Sequence, residues 1–187
     1  KRFQETKLKK KDFDYLINQI KKNGFKTIAT PFDEKSVDLI EKQKLDYIKI
    51  ASCSFNDWPL LERVSTSSQP IILSTAGIDK DDIDKVYSFL KNRKKNFCFL
   101  HCVGEYPTPD KNLELSQIDY LKNKYKDIEI GYSSHEDPQN FDNVRVAIAK
   151  GAQIFEKHVG LPTEKYALNK YSMSPSMAKE WLRSFKN

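Results

Sequence analysis

Apolar positions along the chain alternate between two spacings, one typical of amphipathic helices and the other of short buried strands. Residues 8–23 show the helical spacing and end at Gly24, whereas the run at 71–73 follows Pro70 and is continuous. The pattern predicts helices at 8–23, 34–43, 57–66, 79–93, 115–125, 138–150 and 175–186. It predicts strands at 25–29, 47–50, 71–73, 97–103, 128–132 and 152–155.

Six short apolar strands joined through helices predict a parallel sheet that is buried on both faces. Neither a flexible linker nor a low-complexity segment divides the chain, so residues 1–187 are interpreted as one domain. An open doubly wound sheet and a closed barrel both fit this alternation. The glycine fingerprints of nucleotide-binding open sheets are absent from the sequence, which lowers the odds of the first architecture.

Polar residues follow the predicted strands again and again. They are Thr30, Ser52, Ser74, His101, Ser133, Ser134, His135 and His158. A (β/α)8 barrel builds its active site at the carboxyl ends of many strands at once, so this distribution favours the barrel. Because a complete barrel has eight strands, the expected fold class is an α/β (β/α)8 TIM barrel with about six of its eight β/α units.

Composition narrows the function classes. The net charge of +6 comes from lysines grouped on predicted helices among acidic residues, which indicates solvated helix faces rather than a nucleic-acid or membrane partner. The basic excess could still help to attract anionic substrates. Neither a membrane-spanning run nor a signal peptide is expected, and the location is interpreted as cytoplasmic. Three cysteines without paired spacing argue against a disulfide framework.

The three histidines each fall at the end of a predicted strand. A single strand-end histidine is more often structural than a ligand, but three such histidines with none elsewhere favour a site. His135 and His158 end successive strands, so their side chains could converge on one divalent metal ion. Nearby acids, substrate oxygens or water would complete the coordination shell. The nearby acids are Glu136, Asp137 and Glu156.

Lys49 lies between apolar strand residues, where a charge is costly to bury without a partner. Four interpretations stay open: a Schiff base, a carboxylate pair, a phosphate contact, or an exposed position at the strand rim. Ser52, Ser74 and Ser133 offer hydroxyl groups at neighbouring strand ends. Together with Lys49 they would form a cradle for a phosphate or carboxylate group.

Six motifs, in order, resemble the sialic acid synthase family over residues 10–187. They are Thr-Pro-Phe-Asp at 30–33, Lys-Ile-Ala-Ser at 49–52 with Pro-Leu-Leu at 59–61, Ile-Leu-Ser-Thr at 72–75, Leu-His-Cys-Val at 100–103 with Tyr-Pro at 106–107, Gly-Tyr-Ser-Ser-His at 131–135, and Glu-Lys-His at 156–158. Six motifs in the family's order and spacing are far more specific than any one of them.

The resemblance implies a barrel enzyme that condenses phosphoenolpyruvate with an acylated aminosugar aldehyde such as N-acetylmannosamine, releasing phosphate. It implies a divalent ion, Mn or Mg, held by His135 and His158. A homo-oligomer is possible, and neither a nucleic acid nor a membrane is an expected partner. The residues that match the phosphoenolpyruvate contacts are Thr30, Lys49, Ser52, Ser74, Tyr106 and Ser133.

The chain departs from the family in two respects. The family's first two strands and its C-terminal antifreeze-like domain have no counterpart in residues 1–187. On the sugar side, Ser54 stands where the family usually has a glutamate, Gly104 stands where some members have an asparagine, and Asn169 falls in an altered stretch. Two alternatives therefore stay open: a non-catalytic relative that binds a metal or a phosphorylated ligand, and an aldolase-type barrel that uses Lys49.

Overall fold

The computed structural model describes residues 2–5 and 7–185, in which strands and helices alternate. The strands are β1 (Ile28–Ala29), β2 (Tyr47–Ile50), β3 (Ile71–Ser74), β4 (Phe97–Cys102), β5 (Glu129–Ser134) and β6 (Phe155–Lys157). The helices are α1 (Arg2–Glu5), α2 (Lys10–Lys22), α3 (Glu34–Lys42), α4 (Trp58–Ser65), α5 (Lys80–Asn92), α6 (Ser116–Lys124), α7 (Asp142–Ala149) and α8 (Pro175–Arg183). Single 3₁₀ turns lie at Ser52–Ser54 and Asp110–Asn112.

The strands of the described residues form one sheet in the order β1-β2-β3-β4-β5-β6, and every neighbouring pair is parallel. Each strand pairs with the next one along the chain, so the sheet curls into a half-barrel with its helices outside. The predicted fold class, a TIM barrel with six of its eight β/α units, is confirmed. All carboxyl ends of the strands therefore meet at one rim.

The two faces of the sheet differ in chemistry because successive side chains point to opposite sides of a strand. Ile48, Leu73 and Phe99 are fully buried in the core between the sheet and the helices. On the opposite face, the inner side of the half-barrel, the same strands carry polar groups such as Lys49 and Ser74, which bond to each other. The core thus stabilises the sheet from outside and leaves its inner face free for polar chemistry.

Helix caps fix two of the loops that follow strands. The Asp33 carboxylate accepts a hydrogen bond of 2.6 Å from the Ser36 amide at the start of α3. The Asp57 carboxylate accepts one of 3.2 Å from the Leu60 amide at the start of α4. These caps end the short loops that carry Thr-Pro-Phe at 30–32 and Ser-Cys-Ser at 52–54.

Two predicted elements, the seventh helix and the last strand, have wrong boundaries. The helix expected from residue 138 begins instead at Asp142. Residues 137–139 form a turn, because the Asp137 carboxylate accepts a hydrogen bond of 2.9 Å from the Gln139 amide. The last strand was expected at 152–155, whereas β6 is assigned to Phe155–Lys157. Residues 152–154 nevertheless run along β5, since the Gln153 amide donates to the Ile130 carbonyl at 2.9 Å.

The first strand is also shorter than the pattern indicated. Residues 25–29 were expected to be extended, but only Ile28 and Ala29 pair with β2. Before them, the Thr27 carbonyl accepts from the Tyr47 amide of β2 at 3.1 Å, while the Thr27 amide and hydroxyl donate to the Asp46 carboxylate. Within the part of the chain that the structure describes, no helix is long and apolar enough to cross a membrane.

Candidate active site

A cavity of about 710 Å³ lies at the carboxyl ends of the strands. Of the sequence-predicted residues, its lining includes Thr30, Lys49, Ser52, Ser74, Gly104, Tyr106, Ser133, His135 and His158. The contributing residues come from all six strands or from the loops that directly follow them. The structure thus brings together both predicted metal ligands and every predicted phosphoenolpyruvate contact.

Lys49 lies on the floor of this cavity and is 7% exposed. Its ammonium group donates to the Ser74 hydroxyl at 2.6 Å and to the Ile50 carbonyl at 3.3 Å. The Glu156 carboxylate lies 3.6 Å from the same nitrogen. Among the interpretations left open by the sequence, the pairing with a carboxylate is therefore present, and the exposed strand-rim lysine is excluded.

The serine hydroxyls surround this charge. Ser133 donates to Glu156 at 2.7 Å, so the carboxylate links the lysine to the next strand end. The Ser52 hydroxyl accepts from the Ala76 amide at 3.0 Å, which ties the β2 and β3 ends together. The cavity floor is thus a hydrogen-bonded set with one buried cation, an arrangement suited to an anionic oxygen ligand.

His135 is 5% exposed at the end of β5. Its Nδ1 lies 3.3 Å from the Val103 carbonyl oxygen, a contact that assigns the proton to Nδ1 and leaves Nε2 as the acceptor. The pKa of the His135 imidazole is lowered to about 4, mainly by burial and in smaller part by the neighbouring His158, while the hydrogen bond to Val103 opposes the shift. The ring is therefore neutral at physiological pH, the form that can bind a metal ion.

His158 extends from the end of β6 toward His135, and the two ring centroids are 5.2 Å apart. Desolvation in the cavity wall lowers the pKa of His158, and Glu156 opposes the shift. Both imidazoles thus favour the neutral state, and their spacing allows one nitrogen of each to reach a common ion at the ~2.1 Å typical of imidazole ligands.

The donor set around the two histidines fits a metal ion in part. No group of three or more His, Cys, Asp or Glu side chains arranged to hold a metal occurs in residues 2–5 and 7–185. Two neutral imidazoles alone leave several coordination positions for substrate oxygens or water. Such an open position is typical of catalytic rather than structural metal centres.

An aromatic cluster covers the histidines on the rim side. The Tyr106 ring lies 4.1 Å from His135 by centroid, and Tyr171 lies 6.0 Å from His135 and 5.1 Å from His158, edge-on to both rings. Tyr171 belongs to a segment that leaves β6 and returns, because the Met173 amide donates to the His158 carbonyl at 2.8 Å. The two tyrosine rings thus pack against the imidazoles at the mouth of the cavity, where Tyr106 and His158 are exposed.

Of the three residues predicted on the sugar side, only Gly104 lines the cavity. Gly104 lines the cavity, and a Cβ there would only touch the Ala76 Cβ at 3.7 Å. Ser54 is buried beside the cavity, because the 3₁₀ turn faces Cys53 toward it instead. Asn169 is exposed and outside the lining, with its side chain accepting from the Tyr171 amide. A direct sugar contact by Ser54 or Asn169 stays a prediction.

His101 is a buried residue of the core and lies apart from the other two histidines. Its side chain turns to the helix-facing side of β4, where Nε2 lies 2.8 Å from the Leu113 carbonyl and the ring stacks on Tyr132. The inward position belongs to Cys102, which lines the cavity. Burial raises the pKa of the Cys102 thiol to about 11, so this cysteine is a neutral thiol and not a nucleophile.

Some cavity residues were missed by sequence reasoning. Phe32, Cys53 and Asn56 line the cavity from the loops after β1 and β2, and Tyr171 covers the histidines. Phe32 is 63% exposed, and its position directly after Thr30-Pro31 was the available signal. Tyr171 had no such signal, because the return of its segment depends on backbone pairing of Val159 with Met173.

A larger cleft of about 1170 Å³ adjoins this cavity on the side of α5. The two share five lining residues, Ala76, Gly77, Ile78, Cys102 and Gly104. Its lining contains neither Lys49 nor the paired histidines. The residues able to bind an anion and a metal together therefore lie in the smaller cavity.

A parallel half-barrel with its polar groups gathered at the strand ends places the chain among the TIM-barrel-like proteins. The family model described as NeuB family matches residues 1–187. The chain belongs to the NeuB family, the family of the sialic acid synthases. The family predicted from six ordered motifs is thereby confirmed.

Individual relatives agree with this assignment. A protein from Chromobacterium violaceum named for spore coat polysaccharide biosynthesis (protein E) is 52% identical, with a TM-score of 0.95 over 98% of this chain and 55% of that one. The N-acetylneuraminic acid synthetase of Leptospira borgpetersenii, solved with citrate, is 32% identical, with a TM-score of 0.88 over 96% of this chain and 63% of that one. The N,N'-diacetyllegionaminic acid synthase of Campylobacter jejuni is 34% identical over 84% of this chain and 47% of the relative.

The chain spans about half the length of the curated relatives it matches. The relatives' names include synthases of three different nonulosonic acids, namely N-acetylneuraminate 9-phosphate, N,N'-diacetyllegionaminic acid and pseudaminic acid. A synthase of this general class is thus supported by the comparisons, and the particular sugar is not distinguished by them.

Proposed function

We propose that this chain is the phosphoenolpyruvate- and metal-binding part of a synthase that makes a sialic acid or a related nonulosonic acid. The co-substrate is an acylated aminosugar aldehyde resembling N-acetylmannosamine, and inorganic phosphate is released. The observation that carries the proposal is the single cavity in which the buried cation of Lys49 faces two neutral imidazoles.

Lys49 and the strand-end hydroxyls would bind the phosphate and carboxylate groups of phosphoenolpyruvate. Glu156 pairs with Lys49 at 3.6 Å and accepts from Ser133, whereas the hydrogen bonds of Lys49 go to the neutral Ser74 and Ile50 oxygens. A phosphate can replace these neutral contacts, because charge-assisted hydrogen bonds to phosphate are stronger. Thr30, Ser52 and Tyr106 line the same cavity and complete the proposed set of contacts.

His135 and His158 would hold a divalent ion, Mn or Mg, whose chemistry at this position is polarisation of the sugar aldehyde as a Lewis acid. The double-bond CH₂ carbon of phosphoenolpyruvate then forms the new bond to the aldehyde carbon. A water oxygen takes the place of the phosphate, which leaves as inorganic phosphate.

A lysine-dependent aldolase is a second class of enzyme that the sequence left open. A Schiff base requires a neutral amine, but the Lys49 nitrogen has three oxygen neighbours that stabilise its protonated form: Ser74, the Ile50 carbonyl and Glu156. This geometry favours binding of an anion over nucleophilic attack. Borohydride reduction in the presence of pyruvate would label Lys49 only if the aldolase reading holds.

The test is phosphate release by the intact protein with phosphoenolpyruvate, Mn²⁺ and a panel of N-acylated aminosugars. We expect release that depends on both the sugar and the metal, and loss of release in His135→Ala and Lys49→Met. Binding of phosphoenolpyruvate in calorimetry without release for any sugar would instead indicate the non-catalytic relative. Release without any sugar would contradict the condensation.

A further inference from the structure

A buried ion pair lies directly behind the two histidines. The Lys157 ammonium group is 3.2 Å from Glu136 Oε1, and each side chain is only 2% exposed. Lys157 also donates to the Glu136 carbonyl oxygen at 3.2 Å, and the Tyr132 hydroxyl donates to Glu136 Oε2 at 3.1 Å. The charges are therefore fully paired and hydrogen-bonded, as a buried pair must be in order to persist.

The pair is adjacent in sequence to both proposed ligands. Glu136 follows His135, and Lys157 precedes His158. The parallel ladder between β5 and β6 ends at the Ser134–Lys157 register, so each histidine lies one residue beyond it. Past this point the backbone carbonyl of His135 accepts from Thr108 and that of His158 accepts from Met173, and neither is held by the other strand.

Side-chain alternation separates the pair from the cavity chemistry. Ser133 and His135 point inward on β5, so Tyr132 and Glu136 lie on the opposite, helix-facing side. The same alternation turns the Lys157 ammonium group toward Glu136 and away from the imidazoles, although Lys157 also borders the cavity. Because its charge is held by Glu136, the pair contacts the two histidines through the backbone of the two strand ends.

Two apolar side chains in these positions would avoid the desolvation cost of burying charges and would often be at least as stable. The ion pair is therefore better explained by its geometry: it fixes the separation and the relative rotation of the ends of β5 and β6. We propose that Glu136 and Lys157 are positioning residues, a cross-strand brace that holds His135 and His158 at the spacing required for one metal ion. This inference rests on the proposed metal-binding function.

The test compares Glu136→Gln, Lys157→Met and the double variant in the intact protein. Mn²⁺ affinity is measured by calorimetry, and amide hydrogen exchange at residues 134–136 and 157–158 is measured without metal. We expect Mn²⁺ to bind about 10- to 100-fold more weakly, the range found when groups that orient metal ligands are removed. We also expect faster exchange at these amides.

A matched control separates positioning from general stability. Leu90→Ala on α5 removes a fully buried side chain remote from β5 and β6, so it lowers the melting temperature without changing Mn²⁺ affinity. If a single variant does not fold, Mn²⁺ affinity can still be measured on the double variant, because the double variant contains no unpaired buried charge. Its affinity is expected to fall by the same 10- to 100-fold.

The outcomes distinguish the brace from the metal site itself. If wild type binds Mn²⁺, His135→Ala does not, and the pair variants match wild type within about two-fold, the brace is overturned and the metal site stands. If wild type binds no Mn²⁺, the metal site and the brace both fall. If Leu90→Ala weakens Mn²⁺ binding as much as Glu136→Gln does, the pair contributes only to general stability, and the proposal is also overturned.

Discussion

The ammonium group of Lys49 lies 2.6 Å from the Ser74 hydroxyl and 3.6 Å from Glu156, on the floor of a cavity that would accept an anion. The sequence placed Lys49 among apolar strand residues and so required a partner, but it could not choose among a carboxylate, a phosphate and a Schiff base. Glu156 is the partner of Lys49 because the sheet curls and brings β6 toward β2. The spacing of residues along the chain does not reveal this contact between distant strands.

Replacing Lys49 by Met should weaken phosphoenolpyruvate binding by ~2 kcal/mol or more, about 30-fold, because a buried charge-assisted contact is lost and Glu156 is left unpaired. Calorimetric titration with phosphoenolpyruvate measures the change. Lys10→Met, which removes the same charge from an exposed helix position, is the matched control and should bind like wild type. Equal affinities for the Lys49 and Lys10 variants would remove Lys49 from the site.

Other residues show where sequence reasoning fails at this scale. The run from Phe97 to Cys102 is buried on both faces, so its pattern could not tell that Cys102 faces the cavity and His101 the helices. In a one-sided strand, alternation would have decided the question. Tyr171 could not be found at all, because it reaches the histidines through a returning segment without regular periodicity.

At the scale of elements, β1 is an edge strand of two residues and depends on a side chain for support. The Asp46 carboxylate accepts from both the amide and the hydroxyl of Thr27, at 2.8 and 2.7 Å. These two hydrogen bonds hold the pKa of Asp46 below its ordinary value of 3.8, with Lys26 contributing less. Asp46 thereby fixes the strand that leads into Thr30.

Asp46→Asn should therefore lower the free energy of unfolding by about 1 kcal/mol at pH 7. Because the folded-state pKa is lowered, the contribution of the carboxylate is fully present above its ordinary pKa and is lost as the pH falls through the folded value. The difference between wild type and variant in urea unfolding should thus shrink between pH 5 and pH 3. A difference that grew on acidification would contradict this assignment.

The packing of β5 against its neighbours depends on Gly131. A Cβ at this position would overlap the Ile154 carbonyl oxygen and the Leu100 side chain, and the former is rigid backbone of the adjacent chain segment. Gly131→Ala should destabilise the fold by about 1–3 kcal/mol, the usual range for an overpacked core, and should displace the strand that carries His135.

Gly104→Ala is the matched control for Gly131→Ala, since its added Cβ meets only the Ala76 Cβ at ordinary contact distance. We expect its melting temperature to equal that of wild type within the scatter of repeated thermal scans. A loss of stability similar to that of Gly131→Ala would show that glycine matters at these positions for backbone reasons and not for space.

At the scale of the whole molecule, the alternation of spacings was sufficient to predict the order of the elements and the parallel half-barrel. Each predicted strand has an observed counterpart, because buried parallel strands leave a strong apolar signal. Boundaries failed where side chains make local turns, as Asp137 does before α7. The strand-end residues could be expected to lie together, because the carboxyl ends of parallel strands meet at one rim of the barrel.

We propose that one cavity binds a divalent metal at His135 and His158 and phosphoenolpyruvate at Lys49. The most direct measurement is anomalous diffraction from crystals of the intact protein soaked with Mn²⁺ and phosphoenolpyruvate. We expect a manganese peak between the two imidazole rings and a phosphate group on the Lys49 ammonium, next to Ser74. A manganese peak away from both histidines, or phosphoenolpyruvate bound outside this cavity, would contradict it.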